Sequence, residues 1–181
     1  MERDKAYNLL NEHLKNKNLI KHSLAVEVCM RSMAQRFGED KNEWGIAGLL
    51  HDLDYEYTSE NSEMHGIKTA EILQDFDISS DIIHAIKAHN HRVETISKMD
   101  IALYAIDPTT GFITAVALMH PSRSLEAANL KRMKKRFKEK SFAKGASREQ
   151  IRTCEKLGIS QDDFLMICRD AMLNIHEELG L

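Results

Sequence analysis

Proline and glycine are scarce, with 2 and 8 in 181 residues, which excludes collagen-like and low-complexity architectures. Cysteine is too sparse for a disulfide framework. Cys29, Cys154 and Cys168 leave an odd count and form no CxxC, so a reducing, cytoplasmic setting is expected, with neither disulfides nor a zinc ribbon. The longest apolar-leaning run, residues 112–119, is far too short to cross a bilayer, and no membrane partner is expected. Behind Met1-Glu2-Arg3-Asp4-Lys5 the apolar core of a signal peptide is missing. Positive charge is not in excess either. A net charge of −3 argues against a protein coated in basic surface for nucleic acid, so a nucleic-acid partner is not expected. Alternating strand patterns, internal repeats and linkers are also absent. What is present is 43% hydrophobic and 29% charged residues, enough for one domain with a sizeable core and too short for two.

Nearly all of it reads as helix. A first helix is predicted over residues 2–15, with Ala6, Leu9, Leu10 and Leu14 on one side. A second runs over 19–37 and stops at Gly38. A third follows Asp40 and carries Trp44, Ala47, Leu50 and His51, and residues 54–61 read as a polar loop. A fourth spans about 62–76, and a fifth follows the candidate caps Ser79 and Ser80 and reaches His89. A sixth, over 98–107, is expected to end before Pro108, because proline disfavours helical geometry in the residue before it. Residues 110–119 are apolar nearly all round and predict a separate buried helix. Ser147 to Gln150 fit a capping box for a helix ending at Gly158, and a last helix from about Gln161 carries Phe164, Ile167, Ala171, Ile175 and Leu179. One all-α bundle over residues 1–181 is the economical reading.

Nine histidines are the unusual feature. His22, Val26, Cys29, Met33 and Phe37 share one helical face, so His22 points where the apolar residues point. A lone inward histidine is ordinarily a satisfied core residue. The geometry repeats, however. His65 shares a face with Thr69, Ile72 and Phe76, and His89 with Ile82 and Ile86, whereas His84 and His91 fall on the opposite side. His51 and Asp52 close one apolar helix and Asp107 closes another, with no lysine or arginine nearby in either stretch. Carboxylates so placed are costly to bury unless a positive charge compensates them. A metal ion supplies that charge, and imidazole with carboxylate suits iron, manganese, nickel or zinc, with magnesium admissible.

In order, His22, then His51-Asp52, then Asp107 reproduce the H…HD…D signature, and the chain resembles the HD-domain superfamily of metal-dependent phosphohydrolases. Lys21-His22-Ser23, Leu49 to Asp54, His65-Gly66, Ile86 to Asn90 and Ala105-Ile106-Asp107 look like successive blocks of the subgroup whose motif is written HDIG. The resemblance covers about residues 19–107, with a helical extension over about 110–181 similar to an uncharacterised bacterial branch of HD hydrolases. It implies an all-α fold in which His22, His51, Asp52 and Asp107 hold one metal. In members with two metals the signature aspartate bridges, and His65 and His89 match the positions that hold the second. It also implies hydrolysis of a phosphate ester of a nucleotide or other small molecule by metal-activated water, with Asp52 and His51 at the catalytic centre. A di-iron oxygenase on the same fold, or a metal-binding regulatory domain without catalysis, are the rival readings.

There are departures from the pattern. The lysine that often follows HDIG is missing from His51-Asp52-Leu53-Asp54-Tyr55, and so is the GYP motif of cyclic-di-GMP phosphodiesterases. Phosphate contacts then fall to other residues, with Lys68 and Arg123 as candidates. Asp54 and Glu56 are candidates for a general acid or base, although an acidic loop is ordinarily just solvated. Residues 131–140 hold seven basic residues and one acidic, a local +6. That run suits a polyanion clamp, but the plainer expectation is a solvated helix face anchored by Met133 and Phe137. Oligomeric state is left open.

Overall fold

A computed structural model describes all 181 residues, and every regular element in it is helical. In chain order the α-helices are α1 (Arg3–His13), α2 (Lys17–Phe37), α3 (Lys41–Leu50), α4 (Tyr55–Thr58), α5 (Ile67–Leu73), α6 (Ser80–His89), α7 (Lys98–Leu118), α8 (Leu130–Phe137), α9 (Arg148–Arg152), α10 (Gln161–Leu173) and α11 (His176–Leu179), with short 3-10 turns between several of them. The two long helices, α2 and α7, form the spine. α3 lies along α2, α6 packs on α7, and α10 lies against both α2 and α7. Their apolar faces merge into a core of 43 buried residues.

Local chemistry sets most boundaries. Asn16 accepts a hydrogen bond from the Asn18 N–H to open α2, and Gly38, at φ +70°, closes it. Asp40 caps α3 through the N–H groups of Asn42 and Glu43. Ser79 caps α6, and Ser97 with Asp100 forms a capping box on α7. The close approach of α2 and α3 needs Gly48, because a Cβ there would lie 3.0 Å from the Glu27 backbone. Glu27 itself is buried on α2 and accepts from Arg3 and Arg31, which ties α1 to the spine.

Four expectations are corrected. Pro108 does not end a helix, and α7 runs unbroken through it. The proline removes one backbone bond, a cost of about 3 kcal/mol. Burial of Leu103 and Ile106 before it and Phe112, Ile113 and Val116 after it offsets that, at roughly 1.5–3 kcal/mol per large side chain. Joined in this way, α7 is long and apolar enough to cross a membrane by length and composition. In this structure it is instead a core helix, with 61% of its most apolar stretch buried. The expected fourth helix is broken at His65 and Gly66, where Gly66 adopts φ +80°, and only Ile67–Leu73 is α-helical. The 54–61 loop contains α4. The last helix breaks at Asn174–Ile175 into α10 and α11.

Candidate metal centre

Five elements converge on one point. His22 comes from the second turn of α2, His51 and Asp52 from the end of α3, His65 from the turn before α5, His89 from the last residue of α6, and Asp107 from mid-α7. Asp52 is at the middle, and its two oxygens face different partners. Oδ2 lies 3.6 Å from His22 Nε2. Oδ1 lies 3.4 Å from His51 Nε2, 3.2 Å from His65 Nε2 and 3.5 Å from His89 Nε2. Asp107 Oδ1 is 3.1 Å from His22 Nε2 and 3.9 Å from His51 Nε2. Two ligand-like groups result, His22 with His51 and Asp107, and His51 with Asp52 and His89, each with its donor atoms within 4.8 Å of one another. The structure thus brings all six sequence-selected residues together, from positions as far apart as 22 and 107.

The outer nitrogens explain why every Nε2 faces inward. His51 Nδ1 donates to the Gly48 carbonyl at 2.8 Å, and His89 Nδ1 donates to the Ile86 carbonyl. His65 Nδ1 donates to Asp54 Oδ1 at 2.7 Å. The Thr110 hydroxyl donates to the Asp107 carbonyl at 3.0 Å, which leaves its oxygen to accept from His22 Nδ1 at 3.1 Å. With each Nδ1–H so committed, Nε2 is the nitrogen turned to the cluster, and it is the one that would bind a metal once its proton is lost. His51 Nε2 is buried with no hydrogen-bond partner of its own. A buried polar atom without a partner is costly, and a bound divalent ion would satisfy it. The donor set therefore fits one or two divalent transition ions.

Without an ion, the carboxylates and imidazoles must balance one another. Burial pushes the His51 pKa down, but Asp52 and Asp107 outweigh it and raise it from 6.5 to about 9. Burial likewise opposes the effect of Asp52 and Asp54 on His65, which still rises to about 10. Burial would raise Asp52, yet His51, His65 and His89 hold it well below the usual carboxylate range, and His22 with His51 lowers Asp107 in the same way.

The remaining candidates are placed elsewhere. Lys68 pairs with Glu71 at 2.9 Å on the exposed side of α5, and Arg123 sits in the exposed turn after α7 at φ +49°. Glu56 caps the start of α2, accepting from the Lys15 and Asn16 N–H groups. Asp54 is not solvated. It is fully buried, and beyond His65 it accepts from the Gly66 and Thr69 N–H groups. Met133 and Phe137 are buried and anchor α8, whose basic residues face solvent. Sequence reasoning missed the partnership of Thr110 with His22, and it missed Tyr55, whose ring stands edge-on to His65 at 5.7 Å. Neither has a local sequence signal, because each partner lies on another element.

Comparison with known proteins follows the same span. A family model described as "HD domain" matches residues 19–133. Ribonuclease Y of Thermoanaerobacter pseudethanolicus is 32% identical over 173 residues, covering 90% of this chain and 32% of that protein. Ribonuclease Y of Clostridium kluyveri is 30% identical over 172 residues, and that of Lawsonia intracellularis 28% over 166, each with the same 90% and 32% coverage. The chain spans about a third of the length of these curated relatives.

Proposed function

This chain belongs to the HD-domain family, and from that premise we propose that it is a metal-dependent phosphohydrolase whose centre is His22, His51, Asp52, His65, His89 and Asp107. The observation that carries the proposal is the division of Asp52, with one oxygen toward His22 and the other toward His51, His65 and His89. So placed, Asp52 would be shared if two cations were held by these side chains. When bound there, divalent ions supply an acidified water and charge neutralisation on a phosphate. The chain's own part is positional. The six side chains fix the cation positions, and the Nδ1 hydrogen bonds keep the imidazoles from turning. In the overall reaction the water oxygen bonds to phosphorus, the ester P–O bond breaks, and the alcohol leaves with a proton.

A small phosphate ester, such as a nucleotide, is the first substrate reading. An RNA phosphodiester is the second, and two observations favour it. The relatives are named ribonucleases, and the exposed Lys131 and Lys135 of α8 and Lys138 just after it have no carboxylate at ion-pair distance, whereas Lys134 pairs with Asp162. The net charge of −3 therefore no longer weighs against nucleic acid, since the charge is unevenly distributed.

One experiment tests the proposal. Wild type and Asp52→Ala are assayed for metal content by mass spectrometry, for helicity by circular dichroism, and for hydrolysis of p-nitrophenyl phosphate, bis-p-nitrophenyl phosphate and a short RNA. About two ions per chain and hydrolysis of at least one substrate are expected in wild type, both lost in a variant that keeps its helices. Equal hydrolysis by the variant would overturn the mechanism. Oxygen consumption by an iron-loaded protein without hydrolysis would move it to the oxygenase reading.

A further inference from the structure

We propose that Lys21 is the phosphate-holding cation of this centre, and that the cavity beside it takes the organic part of a single nucleotide-sized phosphate ester. The proposal rests on the phosphohydrolase reading above. A cavity of about 430 Å³ opens where α2 meets α7, walled by Lys21, His22 and Ala25 on one side and Thr110, Thr114 and Leu118 on the other. His22 and Thr110 belong to the metal centre as well, so the cavity and the centre share a wall. Lys21 is the one lysine or arginine in that lining. Its ammonium is half-buried and donates to the carbonyl of Leu179 at 2.8 Å, with no carboxylate at ion-pair distance. A neutral acceptor leaves the charge uncompensated, and an ammonium has further protons to give a phosphate oxygen.

This assignment fills the gap left by the missing lysine after His51-Asp52. Neither Lys68 nor Arg123 lines the cavity. The remaining wall is mixed. Thr114 and Asn18 offer hydrogen bonds, while Ala25, Leu118 and Leu179 offer an apolar surface, a combination suited to a sugar and a base. A volume of about 430 Å³ is near the small end for ligand pockets. It holds one nucleotide unit, free or at the end of a chain, and not a stretch of several.

The test uses the intact, metal-loaded protein and follows binding of inorganic phosphate, adenosine monophosphate and a 5′-phosphorylated trinucleotide by calorimetry. Lys21→Ala is expected to weaken binding of phosphate and nucleotide about 10- to 100-fold, the range for a charge-assisted hydrogen bond, with metal content unchanged. Lys21→Arg is expected to recover part of the loss. Leu118→Trp, which fills the apolar end, is expected to weaken nucleotide binding while leaving inorganic phosphate alone. Nucleotide binding by Lys21→Ala within twofold of wild type, at full metal content, would overturn the role of Lys21. Unchanged nucleotide binding by Leu118→Trp would overturn the cavity assignment. Trinucleotide binding as tight as the mononucleotide identifies a chain end as the source, and binding of the mononucleotide alone identifies a free nucleotide; both support the shared chemistry. If metal-loaded wild type binds none of the three probes, this inference fails, whereas the phosphohydrolase reading stands or falls on hydrolysis of the model esters by wild type and Asp52→Ala.

Discussion

At the scale of single residues, Asp54 shows how much of the centre depends on a side chain that touches no ion position. Its buried carboxylate takes the His65 Nδ1 proton on one oxygen and two backbone N–H groups on the other, while its own N–H donates to Thr69 Oγ1. It thus fixes His65 and opens α5 together. Asp54→Asn keeps the size of the side chain, but its amide must either give up the backbone contacts or set an N–H against His65 Nδ1. In the second case the imidazole is pressed into the wrong tautomer. Metal affinity is expected to fall about 10- to 100-fold, the usual effect of losing a residue that orients a ligand. The helical circular dichroism spectrum should be unchanged. Unaltered affinity in a metal titration would show that His65 needs no such support. The acidic stretch after Asp52 was visible in the sequence, but the role of Asp54 was not, because its partners lie 11 to 15 residues away across a turn that Gly66 makes.

At the scale of elements, the helical period made faces legible and left breaks and contacts illegible. The inward placement of His22 and His89 followed from spacing alone, because α2 and α6 are regular helices with apolar neighbours on the same side. His65 reaches the centre, yet from a turn outside α5 and not from the helical face assigned to it. The rule about Pro108 was sound locally and lost to burial on both sides of it. Helix-helix distance was also unreadable from spacing. Gly48 is where α3 meets α2 and where the His51 Nδ1 proton is received. A methyl group there would press on the Glu27 Cα and N at 3.0 Å, which are backbone atoms that cannot rotate away. Gly48→Ala is expected to destabilise the fold by about 1–3 kcal/mol. At about 2–4 °C per kcal/mol for a chain of this size, a thermal melt would read it as a clear drop, and an unchanged midpoint would mean that α3 can move off α2 without cost.

At the scale of the whole molecule, the centre couples five elements, so its ionisation state bears on the stability of the entire fold. In metal-free protein His51 and His65 are raised from 6.5 to about 9 and about 10. Groups raised on folding stabilise fully below their unfolded pKa, here near 6.5, and that stabilisation fades as pH climbs through 9 and 10. Asp52 and Asp107 are lowered on folding, so their contribution is present above about 3.8 and lost below it. The metal-free centre is therefore expected to support the fold best between about pH 4 and 6.5. Metal reverses the upper side of this profile. A bound ion needs the same nitrogens without protons, so protons compete with it, and its stabilisation grows as pH rises. The melting shift produced by saturating manganese should be small at pH 6 and larger at pH 8.5, because the metal-free reference weakens over that interval while the metal-bound form gains. Asp52→Ala, which removes the shared carboxylate, should abolish the shift at both values. A manganese-induced shift that shrinks between pH 6 and 8.5 in wild type would mean that the ion does not displace protons from His51 and His65, and that it binds elsewhere on the molecule.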